Sequence, residues 1–228
     1  MFRPIVRRAD RILAASEFTR RRLVELLGAR DDRITIVGNG VDQAFFAASA
    51  ENQIAHAIRR NIVVIGGLTR RKGGDLVLRV ARELRHHLPD LRVVVAGVGE
   101  KEFDAAASEL SNVVRLGFVP EAELVRLLQG ALAMMFLSRY EGFGIPVLEA
   151  MAVGIPVIAS RFAALPEVVG DAGLLLDAEE PREVAAAIET LSRDERAWSE
   201  LSARGRKRAE AYRWGHCVER LVEALRSA

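Results

Sequence analysis

Residues 138–156 read SRYEGFGIPVLEAMAVGIP and lie between two short apolar runs, 134–137 and 157–159. Runs of that length, bounded by turn residues, read as strands buried on both faces. Pro146 suits the first turn of a helix and Gly154 its C-terminal stop, which puts the helix start near Gly144. A strand that passes through a glycine-bearing loop into a helix N-terminus is how open α/β sheets build ligand sites. The free N–H groups and the positive end of the helix dipole face the mouth of the sheet, where anions bind.

The same alternation extends in both directions. Apolar runs at 62–65, 93–96, 113–116 and 174–176 read as further strands, and helical patterns fall at 74–86, 101–110, 121–130, 146–153 and 181–192. The expected fold is therefore α/β: a Rossmann-like parallel sheet with helices on both faces. Before it, 11–15 reads as a strand, Ser16 as the N-cap of a helix that stops before Gly28, and 34–37 as another strand. The turn-forming Gly38-Asn39-Gly40 opens a stretch read as irregular up to Arg60. Two helices, 193–212 and 215–227, close the sequence. The last carries Val218, Leu221, Val222 and Leu225, a stripe that needs a surface to pack on, and the segment 11–27 is an economical one. The boundaries that follow are 1–40 for a first segment, 41–60 for a linker, 61–205 for the main domain and 206–228 for helices crossing back.

Composition narrows the classes. With 33 basic and 31 acidic residues in 228, the net charge of +2 gives no argument for nucleic-acid binding. The local cluster Arg7, Arg8, Arg11, Arg20, Arg21 and Arg22 fits either a solvated helix face or peripheral contact with an anionic membrane surface. A lone cysteine, Cys217, excludes an internal disulfide framework and fits a reducing compartment. The expected location is the cytoplasm, with any membrane association peripheral at the inner face, because no apolar run approaches the roughly 20 residues that span a bilayer.

Three loops carry the chemistry. Glu141 and Glu149, separated by seven residues, fall in the glycine loop and one turn into the helix, where both can border one ligand. A carboxylate accepts two vicinal hydroxyls of a ribose, and glycines beside it let main-chain N–H groups approach a sugar closely. The competing view is that Glu149 complements its own helix dipole. The second loop, 66–74, reads GGLTRRKGG; Arg70, Arg71 and Lys72 suit a diphosphate, and an exposed basic turn is the alternative. The third, Ala96-Gly97-Val98-Gly99, fails the dinucleotide pattern because position 102 is Glu102, and reads as a close-approach loop. That failure also disfavours a nicotinamide oxidoreductase. Beyond it, residues 117–120 read GFVP, which suits backbone contacts to a nucleobase or a plain turn.

Together these residues resemble glycosyltransferase family 4, the retaining GT-B enzymes also called group 1 glycosyltransferases. The resemblance is carried by Glu141 and Glu149 within YEGFGIPVLEAMAVGIPVIAS, by Arg71-Lys72-Gly73, by LGFVP, by residues 165–170 (LPEVVG) and by SEFTRRRL followed by NGVD. It implies that the main domain is the C-terminal, donor-binding domain of a GT-B fold, with terminal helices packing back on a remnant of the N-terminal half. It further implies a UDP- or GDP-linked sugar donor, an acceptor left unnamed, and neither cofactor nor metal. Glu149 would hold the donor ribose, Glu141 with the backbone of Gly142, Phe143 and Gly144 the transferred sugar, Arg71 and Lys72 the diphosphate, and Val119 would lie near the base. Glu141, Lys72 and Arg71 are thus the expected catalytic set. Gly67 stands where many members carry Arg, which moves part of the phosphate clamp to Arg70 or Arg71. The acceptor site and a His common in the first half have no counterpart; His56, His86, His87 and His216 receive no role. The resemblance also implies a separate chain supplying the first half, or self-association, and leaves a non-enzymatic sugar-nucleotide-binding subunit or regulator as the alternative.

Overall fold

The computed structural model describes residues 2–51 and 54–226. The chain begins with α1 (Arg3–Arg8), β1 (Ile12–Ala14), α2 (Glu17–Leu27) and β2 (Ile34–Ile36), followed by α3 (Gln43–Glu51). Strands β1 and β2 pair in parallel, Ile12 opposite Ile34 and Ala14 opposite Ile36. Ser16 caps α2 by accepting a hydrogen bond from the Thr19 N–H, and Gly28 closes the helix in the left-handed conformation.

The main sheet contains β3 (Asn61–Ile65), β4 (Arg92–Ala96), β5 (Val113–Gly117), β6 (Ala131–Phe136), β7 (Val157–Ser160) and β8 (Leu174–Leu176). All pairings are parallel, in the order β5-β4-β3-β6-β7-β8. Counted from β3 this is the doubly wound order 3-2-1-4-5-6, whose direction of progress reverses between β3 and β6. Ligands bind such sheets at that reversal, outside the strand C-termini.

The connections are α4 (Gly74–His87), α5 (Lys101–Ser108), α6 (Glu121–Gln129), α7 (Ile145–Val153), α8 (Leu165–Val169) and α9 (Pro181–Arg193); α10 (Glu195–Glu210) and α11 (Trp214–Arg226) close the described chain. Two apolar layers sandwich the sheet. Leu76, Val80 and Leu84, one row of α4, join Ile188 and Leu191 of α9 against Ile62, Val64 and Val95. Val147, Leu148 and Met151 of α7 join Val63, Met134 and Phe136 on the opposite face. The alternation of Ile62, Val63 and Val64 between layers is the two-residue period of a strand.

The β3–β6 register shifts between Asn61 and Ile62. Such an irregularity leaves carbonyls without ladder partners, and side chains supply them. Arg59, 3% exposed, donates to the carbonyls of Gln129, Ala131 and Ile54. The Trp198 indole donates to Leu132 O at 2.6 Å and lies 4.8 Å from the Arg59 guanidinium carbon.

Four expectations change. Residues 43–51, read as part of an irregular linker, form α3, and Phe45 and Phe46 enter the core beside α7. α1 and α8 were not expected, and β6 begins at Ala131 rather than near Met134. The terminal stripe is turned outward: Val218, Val222 and Leu225 are exposed, while Cys217 and Ala224 are buried. That rotation lets Arg220 donate to Val37 O at 3.1 Å, and Val41 forms a parallel bridge to Arg213, so the C-terminal segment does pack back on the end of the first one. The expected helical extension to Ser227 lies outside the described residues.

Candidate functional site

The loops after β3 and β6 meet at the reversal point. In the first, Gly66 and Gly67 both donate to Ala96 O, and Lys72 N donates to the Thr69 hydroxyl. Gly66 clears the path of the lysine: a Cβ there would stand 2.8 Å from Lys72 Cε. Lys72 therefore runs back under its own loop, its ammonium 4.7 Å from the centre of the Phe136 ring, with 12% of the side chain exposed.

Lys72 Nζ lies 2.7 Å from Glu141 Oε1 and Arg71 3.2 Å from the same oxygen. The predicted catalytic residues Glu141, Lys72 and Arg71 are thus one constellation, a shielded carboxylate between two cations. Arg139 fixes the basic loop from the β6 side. Its N–H donates to Arg71 O at 2.9 Å, and its guanidinium grips Asp75 in a fork at 2.6 and 2.8 Å. The pair holds the Asp75 carboxyl below its ordinary range through charge-assisted hydrogen bonds.

Arg70 is not brought into this group. Its side chain is 78% exposed and reaches 3.9 Å from Glu102 on α5. Gly67 is explained by close packing: φ is +73° there, and a Cβ would run into Val98 O. The 97–99 loop occupies the space into which an arginine would have to grow, and its reading as a close-approach loop holds. Val119 is half-buried just past β5. A cleft of about 580 Å³ opens between Gly97, Val98 and Gly117; Val119, Glu141 and Lys72 are not among its walls.

In the second loop Gly144 has φ +113° and precedes the first turn of α7, with Leu165 Cδ2 set 2.9 Å from where a Cβ would stand. Any side chain there would be strained. Among the described residues, the N–H groups of Gly142, Phe143, Gly144 and Ile145 have no partner. The loop is otherwise fixed: the Ala164 N–H donates to Glu141 O, and the Phe143 ring packs edge-on against Tyr212.

Glu149 lies past the first turn of α7, which holds no acidic residue. This argues against the dipole reading, since that effect fades within the first turn. It makes no hydrogen bond or ion pair among the described residues. Burial, with the nearby Glu121 carboxylate, pushes it up to about 7. Glu149 is thus a half-buried carboxyl without a partner among the described residues, on the helix that follows the reversal-point loop.

Sequence reasoning missed Arg139, Asp75 and Glu121 as neighbours of the site, and saw Ser16 only as a helix cap. Within the basic cluster of the first segment, Arg20 pairs with Asp31 and Arg22 with Glu25; nearby, Arg30 pairs with Asp32 and Arg3 donates to Leu26 O. Among the described residues no group of three or more His, Cys, Asp and Glu could hold a metal ion.

The fold is a doubly wound domain of the GT-B kind, with two glycine-bearing loops meeting at its reversal point. The chain belongs to the family described as Glycosyl transferases group 1, whose model matches residues 48–210; that of Glycosyltransferase Family 4 matches 1–45. Among its relatives is a D-inositol 3-phosphate glycosyltransferase of Kineococcus radiotolerans, 32% identical over 98% of this chain and 58% of that one. An Escherichia coli O-antigen chain mannosyltransferase B is 40% identical over 49% of this chain and 29% of its own length. Among solved structures, Anabaena Alr3699/HepE in complex with UDP and glucose superposes with a TM-score of 0.83 at 20% identity, over 98% of this chain and 64% of that one. The chain spans about three fifths of the relatives that it matches along its whole length.

Proposed function

We propose that this chain is the donor-binding part of a glycosyltransferase that moves a sugar, with retention, from a UDP- or GDP-linked donor to an acceptor. The observation that carries the reading is the ion-paired group of Glu141, Lys72 and Arg71 set at the sheet reversal beside the unpaired Glu149.

The chemistry follows from charge. Breaking the anomeric C–O bond passes through an oxocarbenium-like state while negative charge grows on the departing diphosphate. Lys72, Arg71 and the N-terminus of α7 are preorganised donors for that charge. As the diphosphate takes over the two cations, Glu141 is released to accept from hydroxyls of the transferred sugar, and the N–H groups of Gly142, Phe143 and Gly144 donate to the sugar's oxygens. Glu149 accepts the ribose hydroxyls, and Val119 lies beside the base. In this reading the residues supply the charge stabilisation, and neither cofactor nor metal is invoked. Arg70 has a secondary place, since its side chain is turned toward Glu102.

The relatives' names point to two different acceptors, so the acceptor stays open. The UDP complex of the Anabaena structure supports a uridine donor. Catalysis needs a second wall for the cleft, which more of the same protein, a separate chain with the first half, or a second copy docking on the outward-turned stripe of α11 would supply. Cytoplasmic placement with peripheral contact at the inner membrane face belongs to the same proposal. No helix among the described residues is long and apolar enough to cross a membrane.

The test is calorimetric titration with UDP, GDP, UDP-glucose and GDP-mannose, repeated with Glu149→Gln and Lys72→Ala. Selective binding of one base series, weakened by both changes, supports the reading, and a folded sample that binds none of them refutes it. Transfer assayed with and without a candidate partner separates an enzyme from a subunit that only binds.

A further inference from the structure

The loop that carries Glu141 is held from outside the donor domain. Gly142 O accepts from the Ser16 hydroxyl at 2.5 Å and from the Thr19 hydroxyl at 3.0 Å, across 126 and 123 residues of sequence. The two hydroxyls lie 2.9 Å apart, and Ser16 Oγ also accepts the Thr19 N–H at 3.0 Å. Each hydroxyl has one hydrogen to give, and a carbonyl oxygen has two lone pairs. The single Ser16 hydrogen can go to Thr19 Oγ1 or to Gly142 O, and the carbonyl is the shorter contact; the Thr19 hydrogen then takes the second lone pair of the same carbonyl, and in either arrangement Gly142 O accepts from this pair. Two further contacts tie the same turn of α2 to the site. The Phe18 ring meets Tyr140 edge-on at 5.4 Å between centres, and the Phe18 N–H donates to Glu167 at 3.3 Å.

Geometry gives the clamp a consequence. A trans peptide is planar, with its C=O and N–H pointing in opposite directions. A Gly142 carbonyl fixed toward α2 therefore fixes the Phe143 N–H away from α2, and that N–H has no partner among the described residues. Gly142 has an ordinary φ, and a Cβ there would meet only Thr19 Oγ1, at 3.5 Å; the Glu141 carbonyl and the Phe143 ring anchor the loop on either side, and the two hydroxyls are what hold the Gly142 carbonyl itself.

We propose that Ser16 and Thr19 are positioning residues for the transferred-sugar subsite, holding the Gly142–Phe143 peptide so that its N–H faces the donor. The idea rests on the donor reading above and extends it: the first segment tunes recognition of the sugar without touching it. Because α2 lies outside the donor domain, any shift between the two would rotate this peptide and change sugar contacts while leaving the diphosphate clamp of Lys72 and Arg71 in place.

The experiment compares UDP with UDP-glucose, and GDP with GDP-mannose, on the parent chain and on a Ser16→Asp/Thr19→Val variant. Aspartate keeps the N-cap acceptor for α2 but cannot donate to Gly142 O, and valine removes the second donor at nearly constant shape. Affinity for the bare nucleoside diphosphate should stay within about twofold. The affinity ratio of sugar conjugate to bare diphosphate should fall about tenfold, the scale of one lost hydrogen bond. Amide exchange at 142–145 should rise while β6 keeps its protection, and Thr19→Ser alone should behave as the parent. An unchanged ratio, or equal loss of bare diphosphate and conjugate, overturns the proposal. A parent that binds none of the four overturns the donor reading and this inference with it; a parent that binds beside an indifferent variant overturns this inference alone.

Discussion

Replacing Glu149 with Gln should stabilise the protein in alkali and weaken it as a binder. The carboxyl rises from its ordinary 4.5 to about 7 because burial, and then Glu121, disfavour the ionised form. A folded pKa above the unfolded one favours folding below the unfolded value, and that contribution is lost as pH climbs through the folded value. At about 1.4 kcal/mol per pH unit, a gap of this size makes the ionised side chain cost roughly 2 to 3 kcal/mol more at pH 8 than at pH 5. The amide is nearly isosteric and does not titrate, so the cost disappears in the variant. For a chain of this length that corresponds to about 5 to 10 °C in melting temperature. The assay is thermal unfolding of parent and variant at pH 5, 6, 7 and 8. The stability difference, variant minus parent, should be small at pH 5 and widen through pH 7. A difference that is flat across this range would refute the claim that the surroundings of Glu149 disfavour its ionised form. Loss of nucleotide affinity in the stabilised variant would show that the strain is kept for the ligand.

Lys72→Ala should lower donor turnover by about a hundredfold to a thousandfold, the usual effect of deleting one preorganised oxyanion donor; unchanged kcat would remove Lys72 from the phosphate role. Gly67→Arg, which restores the residue many family members carry, should destabilise by at least about 1 to 2 kcal/mol because its backbone is left-handed. An unchanged melting temperature would show that the 97–99 loop yields. Arg59→Met keeps the apolar stem but abandons the carbonyls of Gln129, Ala131 and Ile54, and should cost about 2 to 4 kcal/mol. Urea unfolding checks it: the midpoint should fall with the slope unchanged.

Much of this architecture is legible in the sequence because buried parallel strands are short, apolar and bounded by turns. The runs at 62–65, 93–96, 113–116 and 174–176 meet those conditions and correspond to β3, β4, β5 and β8. β6 was read short because Ala131, Leu132 and Ala133 lack the β-branched signature that marks a strand. α3 escaped because adjacent Phe45 and Phe46 make no helical stripe; its order comes from packing on α6 and α7. The stripe of α11 was assigned the wrong face because the contacts that orient the helix are polar and distant, Arg220 to Val37 chief among them.

The candidate site divides in the same way. Glu141, Glu149, Arg71 and Lys72 stand out because each follows a strand through a glycine-bearing loop. Their meeting does not, because it depends on β3 lying next to β6, and Lys72 and Glu141 are 69 residues apart. Local sequence likewise says nothing of Gly67 against Val98, or of Ser16 and Thr19 on Gly142. Such contacts follow from strand order.

The placement of α3 bears on where this molecule can be cut. A fragment beginning at β3 would omit Phe45 and Phe46, 1% and 9% exposed, and open the greasy surface they cover on α7. Each ring withdraws apolar surface worth about 2 to 3 kcal/mol. Val41, whose N–H donates to Tyr212 O at 2.8 Å, would go as well. An autonomous donor module should therefore start ahead of Val41, and a protease that nicks the chain just upstream of that point should release a fragment that stays folded.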